Sequence, residues 1–552
     1  MERKLLSGDE AVAAAAIDAG VHLGTGYPGT PSTEILEAFG ALGGRGQWAP
    51  NEKVALEVGL GASYGGARVL VTMKHVGVNV AADPLFTAAY TGVTGGLVLV
   101  SADDPGMASS QNEQDNRHYA RAAGVPMLEP SDSQEAYDLA RTGWELSERF
   151  QLPLILRMTT RVCHSKSIVV RREADAPRSA AFVRDIAGRV MIPAYARPAH
   201  QRLRRKLEEL KACGERRGGR RGAGDTGNTG GTADTGATGG AGGKVLGIVS
   251  AGVTARHVRE AVPEASLLEL KLIHPLPLER IRAFARSVDR CFVVEEGDPY
   301  LEGEIRAAGI EVESKAPEFR FGEMSVERVR RVLGLDTTPE PPPSKGKPPQ
   351  LCDACPYHPV YSALRKLDCI VAGDIGCYSL GVLPPYQAMD ALVAMGASLG
   401  VGLGLRHVLP EEEARRVVSI IGDSTFVHTG VNGLIEMVYN PPATGHVVII
   451  LDNGTTAMTG QQEHPGTGRT LDHGATGKFS LEGFARAAGV PNVDIVDPVK
   501  DPAGFLALLE ERLARPELTV IIARRPCILA AADIRAWDRA NAEKCAARQA
   551  EA

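Results

Sequence analysis

The chain has 552 residues, 44% of them hydrophobic and 23% charged, with a net charge of −6. That length implies several domains, each able to bury its own core. The negative balance makes nucleic acid and anionic membranes poor partners. No apolar run approaches the ~20 residues of a membrane span, and the N-terminus does not read as a signal peptide. Ser7-Gly8-Asp9-Glu10 reads instead as a capping box that opens a helix over Ala11–Ala19. Nine cysteines in a large chain with no export signal are expected to be reduced and available for metal or redox work.

Taken in chain order, residues 1–175 alternate helical patterns with short apolar strands at Val69–Met73, Leu97–Val100 and Leu152–Leu156. That alternation predicts a parallel sheet wrapped by helices. After a connecting segment, 176–213, residues 214–243 hold thirteen glycines in thirty positions, a tract too poor in apolar surface to fold and read as a flexible linker. Residues 244–335 predict a smaller α/β unit with strands at Val245–Val249 and Cys291–Val294. Residues 336–350 are a spacer, with six prolines between Pro339 and Gln350. Residues 351–530 predict a third α/β unit, and residues 531–552 a charged helical tail. The fold class expected is therefore α/β, with three parallel-sheet domains.

The third unit carries the strongest chemical signal. Gly422-Asp423-Ser424 follows the apolar run Val417–Ile421, and Asn453 follows a second run, Val447–Leu451. Both runs predict buried parallel strands. Ligand groups in open α/β sheets collect outside the carboxyl ends of strands, so both residues should face one crevice. A carboxylate, an amide oxygen and a loop carbonyl suit a small hard cation such as Mg²⁺ that completes its octahedron with phosphate oxygens. The bland alternative is a common Gly-Asp-Ser turn. In the first unit, Glu52 precedes a helix rich in small residues, from Asn51 to Ser63. Small residues would let that helix approach a cofactor or another subunit closely. On its own Glu52 also suits an ordinary helix N-terminus, where the dipole favours an acid.

Cysteines supply the third constellation. Cys352 and Cys355 form a CxxC, Cys377 follows in Gly373-Asp374-Ile375-Gly376-Cys377, and Cys527 ends the unit. Four thiolates are the usual complement of a 4Fe–4S cluster. Zinc held by Cys352, Cys355, His358 and one more ligand is the rival, and buried structural cysteines are the bland reading.

Gly422-Asp423 with the distant Asn453 resembles the metal–diphosphate motif of thiamine-diphosphate (ThDP) enzymes, with Ser424 standing where glycine is usual. More broadly, seven segments recur in one family: Gly26–Glu34, Asn51–Ala55, Met73–Gly77, Ala102–Met107, Ser110–Asn116, Gly373–Tyr378 and Thr455–Gly460. The chain resembles the alpha subunit of indolepyruvate:ferredoxin oxidoreductases, within the 2-oxoacid:ferredoxin oxidoreductase superfamily. The resemblance covers nearly everything except the Gly-rich tract and the tail. It implies a pyrimidine-binding domain, a transketolase C-terminal-like domain and a diphosphate domain, in that order.

The resemblance also implies roles. Glu52 would activate the aminopyrimidine of ThDP. Asp423, Asn453 and the Thr455 carbonyl would hold Mg²⁺. Gly422, Ser424 and Gly376 would lie against the cofactor. Cys352, Cys355, Cys377 and Cys527 would hold one 4Fe–4S cluster. The Thr30 hydroxyl would meet the oxoacid carboxylate, with Lys74 and His75 near the substrate. The implied reaction is oxidative decarboxylation of a 2-oxoacid, an arylpyruvate such as indolepyruvate, to its acyl-CoA. Ferredoxin or a similar acceptor would take the electrons and coenzyme A would be co-substrate. A smaller beta subunit is the expected partner, in a homodimer of alpha–beta pairs in the cytoplasm.

One departure concerns the C-terminus. The family continues into a ferredoxin-like module with two sets of four cysteines. Here Ala542–Cys545 resembles the entrance to that module, and the sequence ends seven residues later. Cys545 has no CxxC partner, so those two clusters are not expected in this polypeptide. That loss lends weight to a rival, a non-oxidative ThDP decarboxylase or carboligase, which would need Glu52, Asp423 and Asn453 but no cysteines. A non-catalytic ThDP-binding subunit is a second rival, opposed by the same intact residues.

Overall fold

The computed structural model describes residues 2–175, 181–217, 245–342 and 349–551. The chain divides into two compact units, Met1–Pro342 and Pro343–Ala552. Most of the Gly-rich tract, the centre of the Pro-rich spacer and the side chain of Cys545 lie outside the described residues.

The first unit is built on a seven-stranded sheet. Its order is Leu272–His274, Met127–Leu128, Leu154–Thr159, Leu97–Asp103, Val69–Lys74, Leu23–Gly26, Gly46–Trp48. All pairs are parallel except the first, where Leu272 faces Leu128 in antiparallel register. The central strands Val69–Lys74 and Leu97–Asp103 are buried at every position, as a sheet covered on both faces requires. The capping box is present: the Ser7 amide donates to Glu10 Oε2 (2.7 Å) and the Glu10 amide to Ser7 Oγ (3.1 Å), opening a helix over Gly8–Asp18. The helix Glu52–Tyr64 uses one of its small residues against its own sheet. A Cβ on Gly59 would sit 2.8 Å from Val71 Cγ2, so the close approach is to a strand of this chain.

Residues 246–332 form a second, four-stranded parallel sheet in the order Ser266–Leu270, Leu246–Ala251, Arg290–Val293, Glu313–Ser314. Residues 1–175 and 244–335, distinguished as two domains by pattern, share one compact unit. Leu272–His274 from the later segment joins the larger sheet. Buried ion pairs also cross between them. Arg117 reaches Glu295 Oε2 (2.7 Å) and the Glu296 carbonyl (2.7 Å) across this boundary, next to Arg157, which holds Asp103 and Glu129 within residues 1–175. Removing one partner from such a set leaves a buried charge unpaired, a loss of roughly 3–5 kcal/mol.

The second unit has one parallel sheet in the order Ile370–Ala372, Val417–Gly422, His446–Asp452, Leu518–Arg524, Asn492–Val496. Alternate residues feed two cores. Val418, Ile420, Val447 and Ile449 pack with Val360, Leu364 and Phe505 on one face. Ile421, Val448 and Ile450 pack with Leu399, Leu403 and Leu434 on the other. The period-two alternation of a strand buried on both sides explains why these runs are continuously apolar. The tail is helical over Ala531–Glu551.

Candidate functional site

In the first unit the candidate residues gather at the carboxyl ends of neighbouring parallel strands, where loops and helix starts are free to present side chains. Thr30 follows Leu23–Gly26, Glu52 follows Gly46–Trp48, and Lys74 ends Val69–Lys74 with His75 opening the next helix. Asn51 caps the Glu52 helix by accepting the Val54 amide at 2.9 Å. Glu52 is 5% exposed and lies against Gly77, where a Cβ would come within 2.5 Å of its Oε1. Glycine at 77 is therefore what leaves room for the Glu52 carboxyl.

Lys74 donates to the Ser109 carbonyl (2.7 Å), and Ser109 Oγ reaches the Thr30 carbonyl (3.5 Å). Burial pushes the Lys74 ammonium down to about 8, with Asp104 pulling the other way. Asp104 itself accepts from the Ser109 amide, Ser110 Oγ and Thr160 Oγ1, and so shapes the loop over Lys74. His75 Nε2 is 3.2 Å from the Asn112 carbonyl, and its own carbonyl accepts from Gln114 and Asn116. Thr30, Lys74 and the Ser109 loop thus form one cluster. His75 faces the adjoining 112–116 segment.

In the second unit Asp423 and Asn453 sit at the ends of adjacent parallel strands. Asp423 Oδ2 accepts the Gly454 amide (2.8 Å), and its Oδ1 accepts the amide of Ser424 (2.9 Å). Asn453 Oδ1 accepts the Thr455 amide at 3.1 Å, and Ser424 Oγ accepts from Thr456 Oγ1 at 2.9 Å. Asp423, Asn453 and Thr455 are all buried. His464, which no local pattern singled out, brings Nε2 to 3.3 Å from Asp423 Oδ2 without the alignment of a hydrogen bond. A buried ring nitrogen without a hydrogen bond, facing a buried carboxylate, marks a place where charge is concentrated. The oxygen donors of Asp423, Asn453 and the Thr455 backbone fit a hard divalent cation.

Gly376 lies in the neighbouring corner. A Cβ there would meet Tyr378 Cε1 at 2.3 Å, and one on Gly422 would meet the same atom at 2.8 Å, so one aromatic ring fixes both glycines. Asp374 accepts amides from Ile375 (2.8 Å), Gly396 (2.9 Å) and Ser398 (3.0 Å), and burial pushes its carboxyl up to about 6.

The tail helix braces the loop that carries His464. The Trp537 ring stacks on His473 at 3.8 Å and 6° between planes. Arg469 bridges Glu463 (2.8 Å) and Asp538 (2.9 Å).

Cys352, Cys355, Cys377 and Cys527 are close enough to influence one another. Burial first, and then the other three thiols, push Cys355 up to about 12; burial with Cys527 and Cys352 pushes Cys377 up to about 11. The Tyr357 amide donates toward the Cys355 sulfur, and the Cys527 amide donates to the Asn453 carbonyl at 2.9 Å, joining the thiols to the Asp423–Asn453 corner. Among the described residues, no three of these thiols and imidazoles bring their ligating atoms within 4.8 Å of one another. A single tetrahedral zinc with ~2.3 Å bonds to sulfur needs them closer. Both nitrogens of His358 are engaged, with Tyr386 Oη (2.7 Å) and the Cys352 carbonyl (2.8 Å). Four cysteine thiols are a donor set that fits a 4Fe–4S cluster.

Residues 14–199 match the model described as pyruvate flavodoxin/ferredoxin oxidoreductase, thiamine diP-binding, and residues 374–523 match the thiamine pyrophosphate enzyme, C-terminal TPP binding domain. The chain is 38% identical to indolepyruvate oxidoreductase subunit IorA of Archaeoglobus fulgidus, over 98% of this chain and 88% of the relative. It is 36% identical to the subunit of the same name from Pyrococcus abyssi, over 96% of this chain and 86% of the relative. A solved 2-oxoglutarate:ferredoxin oxidoreductase from Magnetococcus marinus is 19% identical, with a TM-score of 0.47 over 60% of this chain and 65% of its own. With two ThDP-binding domains matched and near full-length likeness to such relatives, the chain belongs to the indolepyruvate oxidoreductase subunit IorA family, subunits of ThDP-dependent 2-oxoacid oxidoreductases.

Proposed function

We propose that this subunit carries out the oxidative decarboxylation of an arylpyruvate such as indolepyruvate to its acyl-CoA, passing electrons to ferredoxin or a similar acceptor. The observation that carries the reading is the grouping of four mutually interacting cysteines, one of which, Cys527, bonds the Asn453 carbonyl through its backbone amide, because a simple decarboxylase has no use for an electron acceptor beside its diphosphate site. When bound, ThDP supplies the nucleophilic carbon and the electron sink for decarboxylation.

The chain's own residues do the rest. Asp423, Asn453 and the Thr455 carbonyl hold the Mg²⁺ that anchors the diphosphate, with Gly422, Ser424 and Gly376 lining that end. Glu52, buried beside Gly77, holds a proton at the aminopyrimidine. Thr30 and Lys74 orient the substrate carboxylate; a lysine pushed down to about 8 is still largely cationic at neutral pH. His75 fixes the adjoining loop. Cys352, Cys355, Cys377 and Cys527 hold one 4Fe–4S cluster, which supplies a one-electron acceptor. A smaller beta subunit, in line with the word subunit in the relatives' names, completes an assembly of paired alpha–beta units. No helix among the described residues is long and apolar enough to cross a membrane.

The test is an anaerobic assay of the subunit purified with its partner. Indolepyruvate- and CoA-dependent reduction of a low-potential acceptor, with about four irons per chain, is expected. Aldehyde release at full rate by iron-free protein would instead establish the non-oxidative decarboxylase.

A further inference from the structure

We propose that Asp9, Glu34 and His164 form a binding site for a divalent transition-metal ion of the zinc class, separate from the ThDP and cysteine sites. One ligand atom from each lies within 4.8 Å of the others. The three come from different elements: the first turn of the helix Gly8–Asp18, the first turn of the helix Thr33–Ala41, and the end of the short helix Thr160–His164. Folding alone brings them together.

Asp9 points to a ligand. It is 1% exposed, and neither carboxylate oxygen has a partner of good hydrogen-bond geometry; only the weakly donating thiol of Cys163 interacts with it. Buried carboxylates in folded proteins are almost always hydrogen-bonded or paired, because an unpartnered one carries its full desolvation penalty. Helix dipoles account for an acid in the first turn of either helix. They do not account for a fully buried one whose oxygens take no amide hydrogen. The charged groups acting on Asp9 are both negative, Glu34 and Glu10, and the thiol of buried Cys163 lies alongside. The nearby cation, Lys166, is turned to Glu10 at 3.6 Å. A proton on Asp9 would relieve part of this. A divalent ion relieves all of it, because Glu34 and His164 close on the same point.

The donor set fixes the class of ion. Two carboxylates and one imidazole give two hard donors and one borderline donor, the pattern that zinc and its neighbours accept and that calcium and magnesium, with their all-oxygen shells, do not. Glu34 and His164 are exposed on one side, so water can complete the coordination. Glu34 is four residues past Thr30 on the same loop-to-helix connection, and Thr160, at the start of the His164 helix, bonds Asp104. The ion would therefore tie together two segments that carry the loops around Thr30 and Lys74.

The experiment uses the full chain with zinc alone as probe, and two conservative variants of exposed ligands, Glu34→Gln and His164→Gln, which should fold normally. After chelation, wild type should bind one more equivalent of zinc by calorimetry than either variant, or bind that equivalent at least tenfold more tightly. Its thermal midpoint should rise with zinc, and those of the variants should not. Asp9→Asn should lose the same equivalent. Counting the difference from wild type separates this site from zinc taken up by the cysteines. Equal stoichiometry and affinity in wild type and both variants would overturn the proposal and leave Asp9 as a protonated buried acid.

Discussion

Two Gly-Asp corners stand side by side in the second unit, and their carboxylates are engaged differently. Gly373-Asp374 follows Ile370–Ala372, and Gly422-Asp423 follows the neighbouring strand Val417–Gly422. Both carboxylates are buried. Asp374 spends its oxygens on three amides from two segments, which fixes the loop to the start of the helix Ala397–Val408. Asp423 takes one amide from Gly454 and one from its own neighbour, and faces Asn453 and His464. A saturated carboxylate is architecture. One with lone pairs to spare beside other oxygen donors is the one we propose for Mg²⁺.

The sharpest way to break that comparison is to remove each carboxylate in turn. Asp423→Ala should weaken Mg²⁺-dependent ThDP binding by roughly 100-fold or more, exceeding the ~10–100-fold typical of losing an outer-shell partner, while the unliganded thermal midpoint barely moves. Calorimetric titration and melting curves read both quantities. If Asp374→Ala loses ThDP affinity as completely and keeps its stability, the two roles are reversed.

Glu52 extends the contrast to the first unit. Glu52→Gln should keep ThDP affinity and lose roughly 10²–10⁴-fold in turnover, the range for removing a positioned acid–base group. Gly77→Ala should reproduce most of that loss with the carboxyl still present, because the new Cβ displaces it. Normal steady-state rates in both variants would place the activating group elsewhere.

Cys377→Ala should abolish the broad visible absorbance and acceptor reduction, and Cys545→Ala should change neither. Iron content measured on anaerobic protein checks the pair.

Asp374 carries a smaller, pH-dependent signature. Burial raises its folded pKa to about 6, above the ~3.9 of an unfolded aspartate. A raised acid contributes stability that is complete below the unfolded pKa and is lost as pH rises through the folded one. From about pH 3 to 7 wild type should therefore lose roughly 3 kcal/mol relative to Asp374→Asn, about 2 kcal/mol of it between pH 4 and 6. Parallel denaturant curves for the two proteins across that window would show it, and parallel pH profiles would refute it. The smallest effect is expected of Trp537→Ala: unstacking His473 loosens the His464 loop and should weaken ThDP binding only a few-fold, with no change in iron content.

The sequence by itself determined the strands and their crevice. Continuous apolar runs ending in Gly-Asp or Asn are dictated by burial on both faces of a parallel sheet, and Val417–Gly422 and His446–Asp452 appear where those runs lie. The capping box at Ser7–Glu10 was equally legible, because its hydrogen bonds are local. Tertiary structure decided what depends on distant partners. Nothing near Gly77 in sequence says that it must stay small for Glu52, and nothing near His464 says that it faces Asp423. The joining of residues 1–175 and 244–335 in one unit includes the pairing of Leu272–His274 with Met127–Leu128, the Arg117 contacts with Glu295 and the Arg256 contact with Asp132, none legible locally. Periodicity reports which face of an element is buried, but not which other element buries it, and sites assembled from several strand ends are made by that second choice.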